Sequence, residues 1–350
     1  MKRNTEIDLL KFLLSLCVLG VHGHLSGFSI QFVPAGHLAV DFFFMVSAFY
    51  TVHKVKSNEN AINLLPKHFC SRLKRLYVPF FLSVVFATIL YCVTVKPTFI
   101  QFRDYFVMFN VYEFLPLQIF GFPASAVTGV QWFVTTLIVA DTLLFACAAK
   151  FKEKFTKVFA PLIAVFLYGI VYLNTFNLIN PGIRIINNLF FSGMLRGIAD
   201  MFMGCVVYEA VARYKDYKLR ISGGIVINLL KYSLLTLMAF CMFNATYTYD
   251  FQFIILVIPF LILVFAFPLN FTRVTSYLAK ISTTLFMVHK PTGDAINKLY
   301  PQLPENTRAI LYFVISIVIA YIIHLLAELI LKLKLGTKIR NLLLAKKVSE

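Results

Sequence analysis

The sequence predicts an all-α polytopic membrane protein of about ten transmembrane helices, with both termini in the cytoplasm. Three observations carry that prediction. The 350 residues are 59% hydrophobic and only 14% charged, whereas soluble domains run at about 45–50% apolar and about 25% charged. Apolar runs recur at roughly 20 residues, the length that crosses a bilayer. Basic residues collect in alternate loops, as in proteins oriented by the positive-inside rule. An all-soluble chain and a disordered chain are both excluded by this composition.

The candidate spans, in order, cover residues 7–25, 35–53, 76–95, 127–149, 157–176, 192–212, 222–244, 251–271, 275–296 and 308–331. The first superficially resembles a signal peptide, but Lys11 interrupts its apolar core and no small-x-small cleavage site follows promptly. The ninth is the most polar. Residues 99–122 are apolar but broken by Arg103, Asp104, Glu113 and Pro116, so they are expected to be interfacial or re-entrant. The predicted domain is a single membrane unit, 1–335, followed by a basic cytoplasmic tail, 336–350.

The charges test this count. The net charge of +17 would suggest nucleic acid in a soluble protein, but here it sits in loops. Loop 54–75 carries Lys54, Lys56, Lys67, Arg72, Lys74 and Arg75 against Glu59. Loops 150–157 and 213–220 and the tail are similarly basic, while 96–126 is near neutral. No nucleic-acid partner is expected. The six scattered cysteines have no CxxC spacing, which points to free thiols and no metal.

Ionisable groups inside a bilayer cost roughly 2.5–3.5 kcal/mol each on insertion scales, so they mark function or mutual pairing. The first span holds Asp8, Lys11, Ser15 and His22. Lys11 and His22 are close to three helical turns apart and share a face, about 16 Å along the axis. Either this is a functional stripe, or Lys11 snorkels and His22 is satisfied by packing. In the second span His37 and Asp41 are an i,i+4 pair. Mirror counting through the hairpin sets 37–38 level with His22 and Asp41 about one turn deeper. A carboxylate near a histidine can fix its tautomer; a plain structural contact is the alternative. Arg72 and Arg75 share a face where basic groups suit phosphates, or simply anchor the helix. Arg196 and Asp200 are expected to neutralise each other. Asp141 has no partner visible in the sequence. Trp132, Ser282 and His289 are candidates for an acceptor side or for structure.

Five segments together resemble the acyltransferase-3 family of integral-membrane acyltransferases, over roughly residues 5–330. IDLLKFLLSLCVLGVHGH resembles the family's Arg-ten residues-His motif, with Lys11 at the arginine and His22 at the histidine. GHLAVDFFFMVSAFY resembles its second-span pattern, with Asp41 and Ser47 matching and Ala48 replacing a glycine. RLKRLYVP carries the Arg-x-x-Arg motif, QWFV the Trp-Phe/Tyr-Leu motif, and ISTTLFMVHKP the late Ser…His-x-Pro pattern.

The resemblance implies transfer of an acyl group, usually acetyl, from acyl-CoA to a hydroxyl. The implied acceptors are envelope glycans, glycolipids or related molecules, and the implied location is a bacterial inner membrane. It implies that His22 carries the chemistry and that Arg72 and Arg75 lie at the CoA entrance. On that basis His22 is expected to act as general base or transient acyl carrier, oriented by Asp41 or His37, with Lys11 and Ser15 along the CoA entry. Lysine cannot make arginine's bidentate fork, so Lys11 would act as a point charge. The competing expectation is a transporter or lipid-linked-sugar flippase, which also holds mid-membrane charges.

Overall fold

The computed structural model describes residues 3–29, 32–115, 128–175, 185–186, 190–216, 224–244, 249–271 and 273–333. Helices joined by short turns make up these residues, with a two-residue antiparallel pairing of Ile185–Ile186 with Phe190–Phe191. The principal helices are α1 (Thr5–Leu25), α2 (Ala39–Lys56), α3 (Leu65–Val95), α4 (Phe99–Tyr105), α5 (Val111–Phe114), α6 (Gln131–Lys154), α7 (Ala160–Thr175), α8 (Ser192–Asp216), α9 (Gly224–Phe243), α10 (Asp250–Ala266), α11 (Arg273–Leu299) and α12 (Glu305–Lys332). Each of the ten predicted spans coincides with one of them.

Five helical stretches are long and apolar enough to cross a membrane: Gly36–Lys56, Ala61–Val95, Gln131–Asn174, Gly224–Phe243 and Glu305–Lys332. α10 is apolar but shorter. α1, α8 and α11 fall outside that set, and they are the helices that carry His22, Arg196 and His289. The outward faces are apolar, with Leu162, Phe166, Ile225 and Ile310 all exposed. Helices that satisfy their own backbone can present such a face to lipid.

Boundaries differ from the sequence expectation in two places. α3 begins at Leu65, eleven residues before the predicted span, with Pro66 in its first turn, where proline costs no hydrogen bond. This draws His68, Arg72 and Arg75 from a loop onto one helical face. Loop 150–157 is instead a kinked helical track, broken at Lys152 (φ 50°, ψ −129°) and continued by a π-turn at Phe155–Phe159. The segment expected to be interfacial forms α4, capped by Thr98 and Gln101, with exposed Phe99 and Ile100. Its end, 116–122, and the tail 336–350 lie outside the described residues.

Two apolar cores form. The larger, around Phe44, Phe49, Phe145, Phe202 and Phe260, draws on α2, α6, α7, α8 and α10 and also takes Leu10 and Val18 of α1, Phe80 of α3 and Phe286 of α11. The smaller, around Leu19, Phe28, Leu285 and Tyr312, lies between α1, α11 and α12. Two glycines permit close approach. A Cβ on Gly293 of α11 would stand 2.7 Å from Ser26 Oγ, and one on Gly36 would stand 2.0 Å from the Cys17 carbonyl oxygen. α1 and α11 lie parallel, with Asp8 meeting Ser276 near their starts and Ser26 meeting Lys290 near their ends.

Candidate active site

A cavity of about 580 Å³ opens between α2, α3, α6, α11 and α12. Helical spacing builds its walls. Phe43, Ser47, Tyr50, Thr51 and Lys54 line it from one face of α2, and His68, Arg72, Arg75 and Leu76 from one face of α3. α11 contributes Lys280, Ser282, Thr284 and Phe286; α6 contributes Phe133 and Leu137; α1 contributes Lys11. The lining is strongly cationic: Lys11, Lys54, Arg72, Arg75 and Lys280 face one carboxylate, Glu328. Such a concave positive site concentrates anions.

Asp141 of α6 organises this wall from behind. Fully buried, it accepts a hydrogen bond from Thr51 Oγ1 and one from His68 Nε2 at 2.7 Å. Arg72 Nε lies 3.3 Å from the same carboxylate, and Arg72 also donates to Ser47 Oγ. Lys54 Nζ sits 3.0 Å from His68 Nδ1. An ammonium can only donate, so Nδ1 accepts and the proton of neutral His68 is on Nε2, towards Asp141. The Arg72 side chain stays 18% exposed and lines the cavity. Lys11 points the same way, with Nζ 5.6 Å from the Tyr50 ring centroid.

The floor of the cavity is aromatic, and its rings continue inward. Phe43 meets Phe133 at 6.4 Å between centroids, Phe133 meets Phe286 at 4.6 Å, and Phe286 meets His289 at 5.9 Å. His289 meets His22 edge-on at 4.8 Å. His22 Nδ1 and both ring nitrogens of His289 are buried without a hydrogen-bond partner of good geometry among the described residues. The backbone of Leu285 and Phe286, on the same helix as His289, interacts with its ring. The close approach of Gly293 to Ser26, one turn beyond each histidine, is what brings the two rings together.

Several expected roles are redistributed. Asp41 does not serve His37 or His22: both its oxygens accept from Arg196, at 2.7 and 2.6 Å, in a fully buried bidentate pair. Arg196 is thereby engaged across α2 and α8 rather than only along α8, and Asp200 accepts from Tyr168 instead. His37 Nε2 lies 3.3 Å from Asp250 of α10. An i,i+4 spacing lets two residues meet, but a partner on another helix can compete, and here Arg196 and Asp250 win. Ser15 is completely buried, donates to the Phe12 carbonyl of its own helix, and is absent from the cavity lining. The stripe on α1 therefore breaks at Ser15. Asp8 takes Arg3 rather than Lys11. Trp132 packs against the core, 6.2 Å from Phe133, so the ring of QWFV that faces the cavity is Phe133.

Lys11, Arg72, Arg75 and Ser282 do line the cavity, Ser282 while donating to the Ala279 carbonyl. Sequence reasoning missed Thr51, His68, Asp141, Phe133 and Phe286. For Asp141 there was a usable sign: a mid-span carboxylate with no partner on its own helix must find one on another. No cluster able to hold a metal occurs among the described residues, and all six cysteines are unpaired.

Comparison with known proteins gives one finding. Neither a curated protein nor a solved structure matches the chain. A family model described as an acyltransferase domain, that of the acyltransferase-3 family, matches residues 4–325. That range begins just before α1, ends within α12 and includes every wall of the cavity except Ala327, Glu328 and Leu331. This multi-pass membrane protein therefore belongs to the acyltransferase-3 family and is an acyltransferase.

Proposed function

We propose that the protein moves an acetyl group from acetyl-CoA to a hydroxyl of an envelope glycan, glycolipid or related acceptor. In this reading ten helices span the bacterial inner membrane, and both termini and the cavity mouth face the cytoplasm. The observation that carries it is the cation-lined cavity whose aromatic floor leads to paired histidines. A polyphosphate fits the mouth: Arg72 and Arg75 supply forked donors, which match phosphate geometry, and Lys11, Lys54 and Lys280 add charge.

The chemistry then belongs to His22. The acceptor oxygen attacks the thioester carbonyl, a C–O bond forms, and the C–S bond breaks. His22 takes the hydroxyl proton as general base and returns it to the departing CoA thiolate. General-base action of this kind contributes about 10²–10⁴-fold. An acyl-histidine intermediate is the alternative use of the same ring. His289 lies against His22 and holds its orientation. Asp141 keeps Arg72 and His68 aimed at the mouth.

The test is CoA release from acetyl-CoA by purified protein in nanodiscs, with and without an envelope-glycan extract. Extract-stimulated release is expected from wild type and is expected to fall at least about 100-fold in His22→Ala, with thermal unfolding unchanged. Unchanged release in His22→Ala would remove His22 from the chemistry. A burst of CoA before the acceptor is added would indicate the acyl-histidine route.

A further inference from the structure

We propose that Phe286, backed by Phe133, is the residue that limits the length of the acyl group, restricting the protein to acetyl and similarly short chains. The inference rests on the acyl-CoA reading above and goes further by assigning donor selectivity to one side chain.

Phe286 occupies a junction. It lines the cavity, yet its ring is only 4% exposed. On one side it packs against Phe133, at 4.6 Å, and on the other against His289, at 5.9 Å. His289 is fully buried and touches His22. A thioester held by its phosphates at Arg72 and Arg75 must bring its carbonyl past Phe286 to reach the histidines. Whatever the carbonyl carries must then fit beside Phe133 and Phe286. Leu285, Met287 and Val288, which flank Phe286 on α11, are all fully buried, so close packing leaves little room for extra methylenes. An acetyl methyl replaces almost nothing; a hexanoyl tail would have to displace a ring. In hydrophobic pockets one surplus methylene costs about 10–200-fold.

The choice of experiment removes the need for the acceptor. Binding of CoA, acetyl-CoA and hexanoyl-CoA is measured by titration calorimetry on protein in nanodiscs, with empty nanodiscs subtracted. Wild type is expected to bind acetyl-CoA at least about tenfold more tightly than hexanoyl-CoA. Phe286→Ala is expected to bring the two within about threefold by tightening hexanoyl-CoA. Phe286→Leu, which keeps the site packed if the alanine variant does not fold, is expected to fall between.

Equal wild-type affinity for acetyl- and hexanoyl-CoA would overturn the proposal. So would an unchanged ratio in both variants. Failure of the underlying reading looks different: wild type and Arg72→Ala would then bind CoA equally, or not at all.

Discussion

Two buried arginine–aspartate pairs stand in the same bundle and behave as opposites. Arg196 and Asp41 make a closed fork, with side chains 3% and 0% exposed and both carboxylate oxygens used. Arg72 and Asp141 make an open contact at 3.3 Å, in which the carboxylate is shared with His68 and Thr51 and the guanidinium borders the cavity. The first pair is closed off from the cavity, so it holds α2 to α8 and turns no donor towards a ligand bound there. The second is under-used by its partner and can offer donors to an anion. Burial of a charge, taken alone, does not mark a functional site; what separates the two pairs is where the unused donors point.

The sharpest way to break this contrast is to remove one arginine from each pair. Arg196→Met leaves Asp41 buried and unpaired, which costs about 3–5 kcal/mol. Loss of folded protein in detergent is expected, read by thermal unfolding and size-exclusion yield. The double change Arg196→Met with Asp41→Leu is expected to recover stability, because apolar replacements for a closed pair are often neutral or stabilising. If the double variant is as unstable as the single one, the pair does more than hold two helices.

Arg72→Ala is expected to lower acyl-CoA affinity by about 10–100-fold, the worth of a charged hydrogen bond at about 1.5–3 kcal/mol. Thermal stability should fall less than in Arg196→Met. Equal destabilisation by the two substitutions would erase the distinction between them. Asp141→Asn should weaken acyl-CoA binding by about tenfold, with CoA affinity at high and low salt as the measurement. It keeps the shape but loses the charge that orients His68 and Arg72, so asparagine at this position should leave turnover per bound donor near wild type.

The smallest effect belongs to Ser15→Ala. Its hydroxyl satisfies only the Phe12 carbonyl on its own helix, so stability and acyl-CoA affinity should change by less than about 0.5 kcal/mol. A large loss of affinity there would restore the unbroken stripe on α1.

These cases also mark what the sequence made legible. The helices were readable because twenty-residue apolar runs are written locally: a helix overlaps each of the ten runs, and five helical stretches are long and apolar enough to cross a membrane. The family motifs are short local patterns too, and of their residues Lys11, Arg72 and Arg75 line the cavity while His22 lies behind it. Partners across helices are not written locally. Asp41 looked like a companion for His37, four residues away, yet its partner is Arg196 on α8. Asp141 showed no partner because all of its partners lie on α2 and α3. Trp132 drew attention as the single tryptophan, while the phenylalanine beside it faces the cavity. Which face a residue presents depends on helix packing, and packing is set by close approaches such as Gly293 on Ser26.

The tight parallel seam between α1 and α11 has a consequence for how the protein is made. Ser26 and Lys290, which meet across it, are separated by 264 residues of chain. At about 5–20 residues per second of synthesis, the first helix emerges roughly 13–53 s before the helix that completes its histidine pair. During that interval the nascent chain carries His22 without His289. Any ribosome that stalls, or any message truncated before α11, yields a product in which the face of α1 that packs on α11 is left uncovered for the cell's membrane quality control to recognise.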